Sequence, residues 1–290
     1  MCSSDLVLGK DKGYLIESRL LPIARKHGLR DLGELAAALR GPRRDALTPD
    51  VVDAITTNES FFFRDGKPFD SFKNKVLPEL LERRAATRQI NIWCAAASTG
   101  QEPYSLAMIL REEAAKLAGW QCQIIGTDIS PTALDRAKAG LYTQFEVQRG
   151  LSIQRLMTHF EKKGEMWQIK SDLQGRVQYR LLNLLGNIKM PIKFDVVYCR
   201  NVLIYFDQAT KGRVLASIAS VMRDDGTLFL GGAETVFGIT EAFRPIIGQQ
   251  GMYTVVPKAG RPAAPSAPIK SPGAPAGAPP ATPPGLRALG

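Results

Sequence analysis

Three stretches place polar side chains directly behind apolar, strand-like runs. AAASTGQE (95–102) follows INIWC (90–94), Asp128 ends CQIIGTD (122–128), and CRNVLIYF (199–206) emerges from FDVVYC (194–199). Strand ends of this kind are where open α/β sheets bind ligands, and an acid there suits ribose hydroxyls. Small residues in the first loop let a ligand approach the backbone. GxGxxG is absent, Gly100 is the one glycine of that loop, and no Walker loop occurs. A pyrophosphate needs close backbone contact at a helix N-terminus. S-adenosylmethionine carries adenosine without phosphate, so the missing glycines favour it over NAD or ATP. Glu102, at the start of the next helix, is placed to receive its ammonium. An α/β fold with a different ligand stays open at this point.

The remaining reactive residue types add little chemistry. His27 and His159 are far apart in sequence and lack Cys or carboxylate company, so no metal site is expected. Cys2, Cys94, Cys122 and Cys199 form no CxxC pair. Three of them sit in apolar runs as small buried hydrophobes, which suits a reducing compartment.

The elements that must position these residues follow from periodicity. Residues 1–57 carry helical spacing at Leu15, Leu20, Leu21 and Ile23 and again at Leu32, Leu35 and Leu39. Thr48-Pro49 suggests an N-cap followed by Pro at the first helical position, with Val51, Val52 and Ile55 turned inward. From residue 90 strands alternate with helices. Helices are expected over 102–118, from the Ser130-Pro131 cap to Gly140, and over 208–222 behind Asp207. Strands are expected at 90–94, 122–128, 194–199 and 227–232, with a closing hairpin over 243–256. This pattern predicts a doubly wound parallel sheet, a Rossmann-like α/β fold. Residues 141–182 interrupt it, and a small inserted β unit is expected there, with a helix near 156–160. The chain therefore divides into a helical part (1–57), an α/β domain (58–256) and a tail (257–290). The tail holds ten of the nineteen prolines and no aromatic residue, and is expected to be disordered.

Three passages together resemble the CheR-type chemotaxis receptor methyltransferases: TTNESFFFRD (56–65), NIWCAAASTGQEPYSLA (91–107) and FDVVYCRNVLIYFD (194–207). LNLL (182–185) and GTDIS (126–130) agree in order and spacing, and GGAE (231–234) looks like a variant of a late strand-end motif. The resemblance covers roughly residues 10–256. It implies a helical N-terminal domain before a class I S-adenosylmethionine-dependent methyltransferase domain with a small inserted antiparallel β subdomain. It also implies methyl transfer to glutamate side chains of chemoreceptor cytoplasmic domains, leaving S-adenosylhomocysteine. A glutamate is already ionised at neutral pH, so no strong general base is required, and catalysis rests on holding two reactants in line.

By the same resemblance, Asn58, Ser60 and Arg64 approach the cofactor and the reacting centre, with Arg64 steering the incoming carboxylate through its planar fork. Glu102 takes the methionine ammonium and Asp128 the ribose. Asn183 and Leu184 border the adenine, and Arg200, Asn201 and Val202 line the pocket floor. Tyr205 orients the substrate carboxylate, or else packs with a satisfied hydroxyl. Phe61, Phe62 and Phe63 divide between core and adenine-pocket walls. Candidate receptor contacts on the helical part are Arg19, Arg25, Lys26, Arg40, Arg43 and Arg44, although residues 1–50 hold nine Lys/Arg against seven Asp/Glu. Relative to the family the N-terminal region is short by about one helix. The segment EKKGEMWQIKSDLQ (161–174) is short with one glycine, so dependence on a tethering receptor pentapeptide is not expected.

Net charge is +10, of which four charges sit in the acid-free tail. Such a balance favours acidic partners without choosing among them. A nucleic-acid methyltransferase is the first alternative. The [D/N]PP[Y/F] signature of amino-group methylation is missing, and Cys199 follows Tyr198 rather than the Pro a cytosine-C5 enzyme uses. A scaffold acting through its Pro-rich tail is the second. No apolar run reaches membrane-span length, and a soluble, cytoplasmic monomer is expected.

Overall fold

The first three helices of the chain close on a small core of their own. The computed structural model describes residues 13–257; the Pro-rich segment and Cys2 lie outside them. Helices α1 (Gly13–Lys26), α2 (Leu32–Arg40) and α3 (Arg44–Ile55) bury Ala24, Leu35, Leu47 and Val51 against one another. Asp31 caps α2 by accepting the Glu34 N–H at 2.8 Å. The expected start at Thr48-Pro49 is corrected: α3 begins a turn earlier. Leu47 lies one turn before Val51, and burying both extends the apolar face past the proline. Thr48 is no cap; its hydroxyl donates to the Arg44 carbonyl at 2.8 Å.

A connecting stretch, α4 (Lys67–Ser71), a wider π turn (Phe72–Val76) and α5 (Leu77–Arg83), leads into the α/β domain. There β1 (Gln89–Cys94), α6 (Gln101–Glu112), β2 (Gln121–Asp128) and α7 (Pro131–Ala139) follow the expected alternation. Serine 130 caps α7 through the Ala133 N–H, and Gly140 ends it at φ +60°. Helix α6 is shorter than expected, because the chain must turn back to begin β2. Residues 113–119 make that return as successive turns ending on Gly119 at φ +78°.

The insert comprises β3 (Leu141–Thr143), α8 (Gln144–Gln148), α9 (Ile153–His159), β4 (Phe160–Lys163), β5 (Met166–Ile169) and α10 (Ser171–Gln174). Its three strands form an antiparallel sheet in the order β3-β5-β4. Residues expected at the end of this unit belong elsewhere: β6 (Val177–Leu181) pairs parallel with β2, Ile124 opposite Val177 through Asp128 opposite Leu181. Alternation of buried Val177 and exposed Gln178 suits an edge strand with one covered face.

The chain ends with β7 (Phe194–Cys199), α11 (Gln208–Val221), β8 (Met222–Leu230), β9 (Phe243–Pro245) and β10 (Met252–Val255). The seven-stranded sheet runs β6-β2-β1-β7-β8-β10-β9, parallel from β6 through β8, with the β9–β10 hairpin closing one edge. The winding reverses between β1 and β7, so the strand ends marked in the sequence converge there. All six residues of β7 are buried. Burial drives the Cys94 and Cys199 thiols well above the usual cysteine range, which leaves them inert. Each histidine has a carboxylate neighbour that the sequence does not reveal: His27 Nε2 lies 2.6 Å from Asp50 and His159 Nε2 3.4 Å from Glu112. Among the described residues no group of three or more metal-ligating side chains gathers, and no helix is long and apolar enough to cross a membrane.

Candidate active site

Beyond the carboxyl ends of β1, β2 and β7 lies an open cavity, roofed by the segment that links the helical part to the α/β domain. Asp128 is fixed at its edge. One carboxylate oxygen accepts the Ser98 N–H at 2.8 Å and the other the Ser130 N–H at 3.0 Å. Burial raises its pKa above the usual carboxylate value, and these backbone donors act against the rise. Ser98, at φ +49°, passes its hydroxyl hydrogen to the Asn58 carbonyl at 2.9 Å, while Ser130 bonds to Asp53 of α3. The acid at the end of β2 is thereby tied to the helical part.

On the other side Arg200 and Glu102 form a buried ion pair at 2.9 Å. Arg200 also donates to the Arg64 carbonyl at 3.0 Å and to Asp65 at 2.5 Å, and its Nε has no partner. Burial pushes the Glu102 carboxyl upward against the attraction of Arg200. Arg64 lines the same cavity; its guanidinium donates to the Glu59 carbonyl at 2.9 Å and lies 5.5 Å from the centre of the Phe61 ring. Arg149 of the insert reaches that ring at 4.3 Å and pairs with Glu59 at 2.8 Å. Next to it, Gly150 at φ +98° packs so closely that a Cβ would stand 1.8 Å from the Phe62 carbonyl oxygen. The insert and the 56–65 segment are thus joined backbone to backbone.

The loop after β7 is held by one buried side chain. Glu234 accepts four backbone N–H groups: Asn201 at 2.8 Å and Gly231 at 2.7 Å on one oxygen, Val202 at 2.9 Å and Leu203 at 2.7 Å on the other. It stabilises a turn in which Asn201 sits at φ +58°, a left-handed conformation unusual for a residue with a side chain.

Of the residues singled out from sequence, Ser60, Arg64, Glu102, Asp128, Asn183 and Leu184 line the cavity, as do Arg200, Asn201, Val202 and Tyr205. Asn58 does not; its carbonyl braces Ser98 from behind, and Thr57 and Glu59 take the wall on either side. None of the three phenylalanines lines the cavity: Phe62 and Phe63 are buried in the core, and Phe61 lies under the two arginines. Sequence reasoning missed the contribution of Ile55 and Thr56 at the end of α3. It also gave no role to Glu234, whose signal was a glutamate closely following a Gly-Gly pair at a buried strand end.

A sequence profile described as "CheR methyltransferase, SAM binding domain" matches residues 58–252. The chain belongs to the CheR methyltransferase family. It is 40% identical over 245 residues to "Chemotaxis protein methyltransferase Cher2" of Pseudomonas putida, covering 83% of this chain and 89% of that one. It is 42% identical over 245 residues, at the same coverage, to "Chemotaxis protein methyltransferase 1" of Pseudomonas aeruginosa. A more distant relative, "Chemotaxis protein methyltransferase" of Borreliella burgdorferi, is 33% identical over 236 residues, which is 80% of this chain and 83% of that one. Membership makes this CheR-family chain an S-adenosylmethionine-dependent methyltransferase. The cavity fits that cofactor: Asp128 is a rigid acceptor for a diol, Ile129, Leu182 and Leu184 supply an apolar wall, and the unpartnered Arg200 Nε is a buried donor left over.

Proposed function

We propose that this enzyme esterifies glutamate carboxylates of chemoreceptor cytoplasmic domains, and that Arg64 receives the incoming carboxylate. Arg64 is the observation that carries the reading. It lines the cavity as a cation, while the three acids there are engaged, Glu59 with Arg149, Glu102 with Arg200 and Asp128 with backbone N–H groups. A guanidinium in that position recruits an anionic acceptor. When bound, S-adenosylmethionine supplies an electrophilic methyl group that a carboxylate oxygen can take, leaving S-adenosylhomocysteine. Asp128 holds the ribose hydroxyls, Glu102 the methionine ammonium beside Arg200, and Ser60, Asn183, Leu184 and Val202 shape the walls. Tyr205 orients the acceptor beside Arg64, and the Glu234-bound turn keeps Asn201 and Tyr205 in place. The acceptor arrives ionised, so the side chains of this chain position and shield rather than abstract a proton. Tritiated methyl transfer to a receptor signalling domain, released by base as methanol, is the expected result; base-stable label in RNA would sink the carboxylate reading.

The insert supports independence from a tethering pentapeptide. Strands β4 and β5 are joined by the two residues Gly164 and Glu165, with Lys163 paired to Met166, so the hairpin carries no extension to grip a peptide. Calorimetry with a receptor C-terminal pentapeptide is expected to show no heat of binding, and measurable affinity would overturn this.

A further inference from the structure

The turn held by Glu234 carries one large apolar side chain outward, and the loop that follows Glu234 carries another. Ile204, in the short turn Leu203–Tyr205, is 46% exposed, and Phe237, three residues past Glu234, is 73% exposed. Neither lines the cavity, although Tyr205 beside Ile204 does. Both stand on a fixed base. Leu203 and Val236 are buried beneath them, Glu234 joins the two loops, and the Gln208 side chain donates to the Gly238 carbonyl at 2.7 Å. Ile204 directly precedes the cavity-lining Tyr205, and Phe237 stands on the loop that follows the Glu234 joint, so both exposed side chains belong to loops that this joint holds together.

The cavity wall therefore carries a guanidinium, Arg64, and runs through Tyr205 into the exposed Ile204. An amphipathic helix matches that pairing, because side chains three or four positions apart share a face. A helix that delivers a glutamate to Arg64 offers its apolar neighbours one turn away. We propose that Ile204 and Phe237 form an apolar lip against which the acceptor's glutamate-bearing helix lies, so that they select which carboxylates reach the cavity. This rests on the receptor reading above.

The test substitutes Ile204→Ser and Phe237→Ser, singly and together, in the full chain. For the double variant, KM for a receptor signalling domain is expected to rise about 5- to 20-fold, with kcat and the Kd for S-adenosylmethionine held within about twofold. Ile204→Val and Phe237→Leu should retain most of the wild-type KM. Ile153→Ser with Met157→Ser, exposed on α9 of the insert, is the control for lost surface hydrophobicity and should leave KM unchanged. An unchanged KM in the double variant, an equal rise in the control, or lost cofactor binding would each overturn the lip while leaving receptor methylation intact. Absence of base-labile transfer by the wild type would instead sink the receptor reading, and the lip with it.

Discussion

Asp128 shows how burial sets the chemistry of a single side chain. Its carboxyl is pushed above the usual value by desolvation, yet ribose hydroxyls are held best by the ionised form. Affinity for S-adenosylmethionine should therefore fall as the pH drops through that raised value. Asp128→Asn should flatten the dependence and weaken binding about tenfold or more, as calorimetry across pH would record. Stability of the free protein moves the other way. A folded-state pKa above the unfolded one contributes stability that is present at low pH and lost as pH rises through the folded value. A melting curve with and without cofactor separates the two effects. Asp128 was legible in sequence because strand-end acids have a recognisable place. Glu234 was not, because its partners are backbone N–H groups, which residue type does not encode. Asn58 sits in a motif and still misses the cavity wall, since only its carbonyl is used.

Two joints decide whether the elements around the cavity keep their shape. Removing the Glu234 carboxylate leaves four backbone donors without an acceptor. Glu234→Ala should cost about 3–5 kcal/mol in urea unfolding and weaken cofactor binding through the β7 loop, with Glu234→Gln milder on both counts. At Gly150 an added methyl group meets a carbonyl oxygen of the chain rather than a movable side chain. Gly150→Ala should cost about 2–4 kcal/mol, combining a left-handed φ with that clash, and should lower kcat through the 56–65 segment. The main α/β elements were readable from strand–helix alternation and caps such as Ser130 and Asp207. The insert was less so. Its helix α8 opens with a capping box, Thr143 with Glu146, only three residues after the end of α7, and β6 has the length and alternation of either a hairpin strand or a sheet edge. Only pairing with β2 decides between them, and that is a tertiary contact.

Across the whole molecule, the helical part completes the cavity rather than hanging beside it. Ile55 and Thr56 line the wall, Asp53 bonds Ser130, and Arg19 donates to the Ile55 carbonyl at 3.2 Å. Arg19 and Lys26, which pairs with Asp50, are thus partly engaged within the fold. A net charge of +10 acting on an acidic acceptor should show in association. Between about 50 and 300 mM salt, kcat/KM for a receptor domain is expected to fall several-fold while the cofactor Kd changes less than about twofold. Steady-state kinetics alongside calorimetry would distinguish the two. The closeness of Gly150 to Phe62 also bears on recombination with relatives. A subdomain transplanted from another methyltransferase can be accepted here only if it brings a glycine to that seam or a 56–65 segment of its own. The insert and the segment it touches are therefore heritable as a pair, and chimeras should be cut outside both.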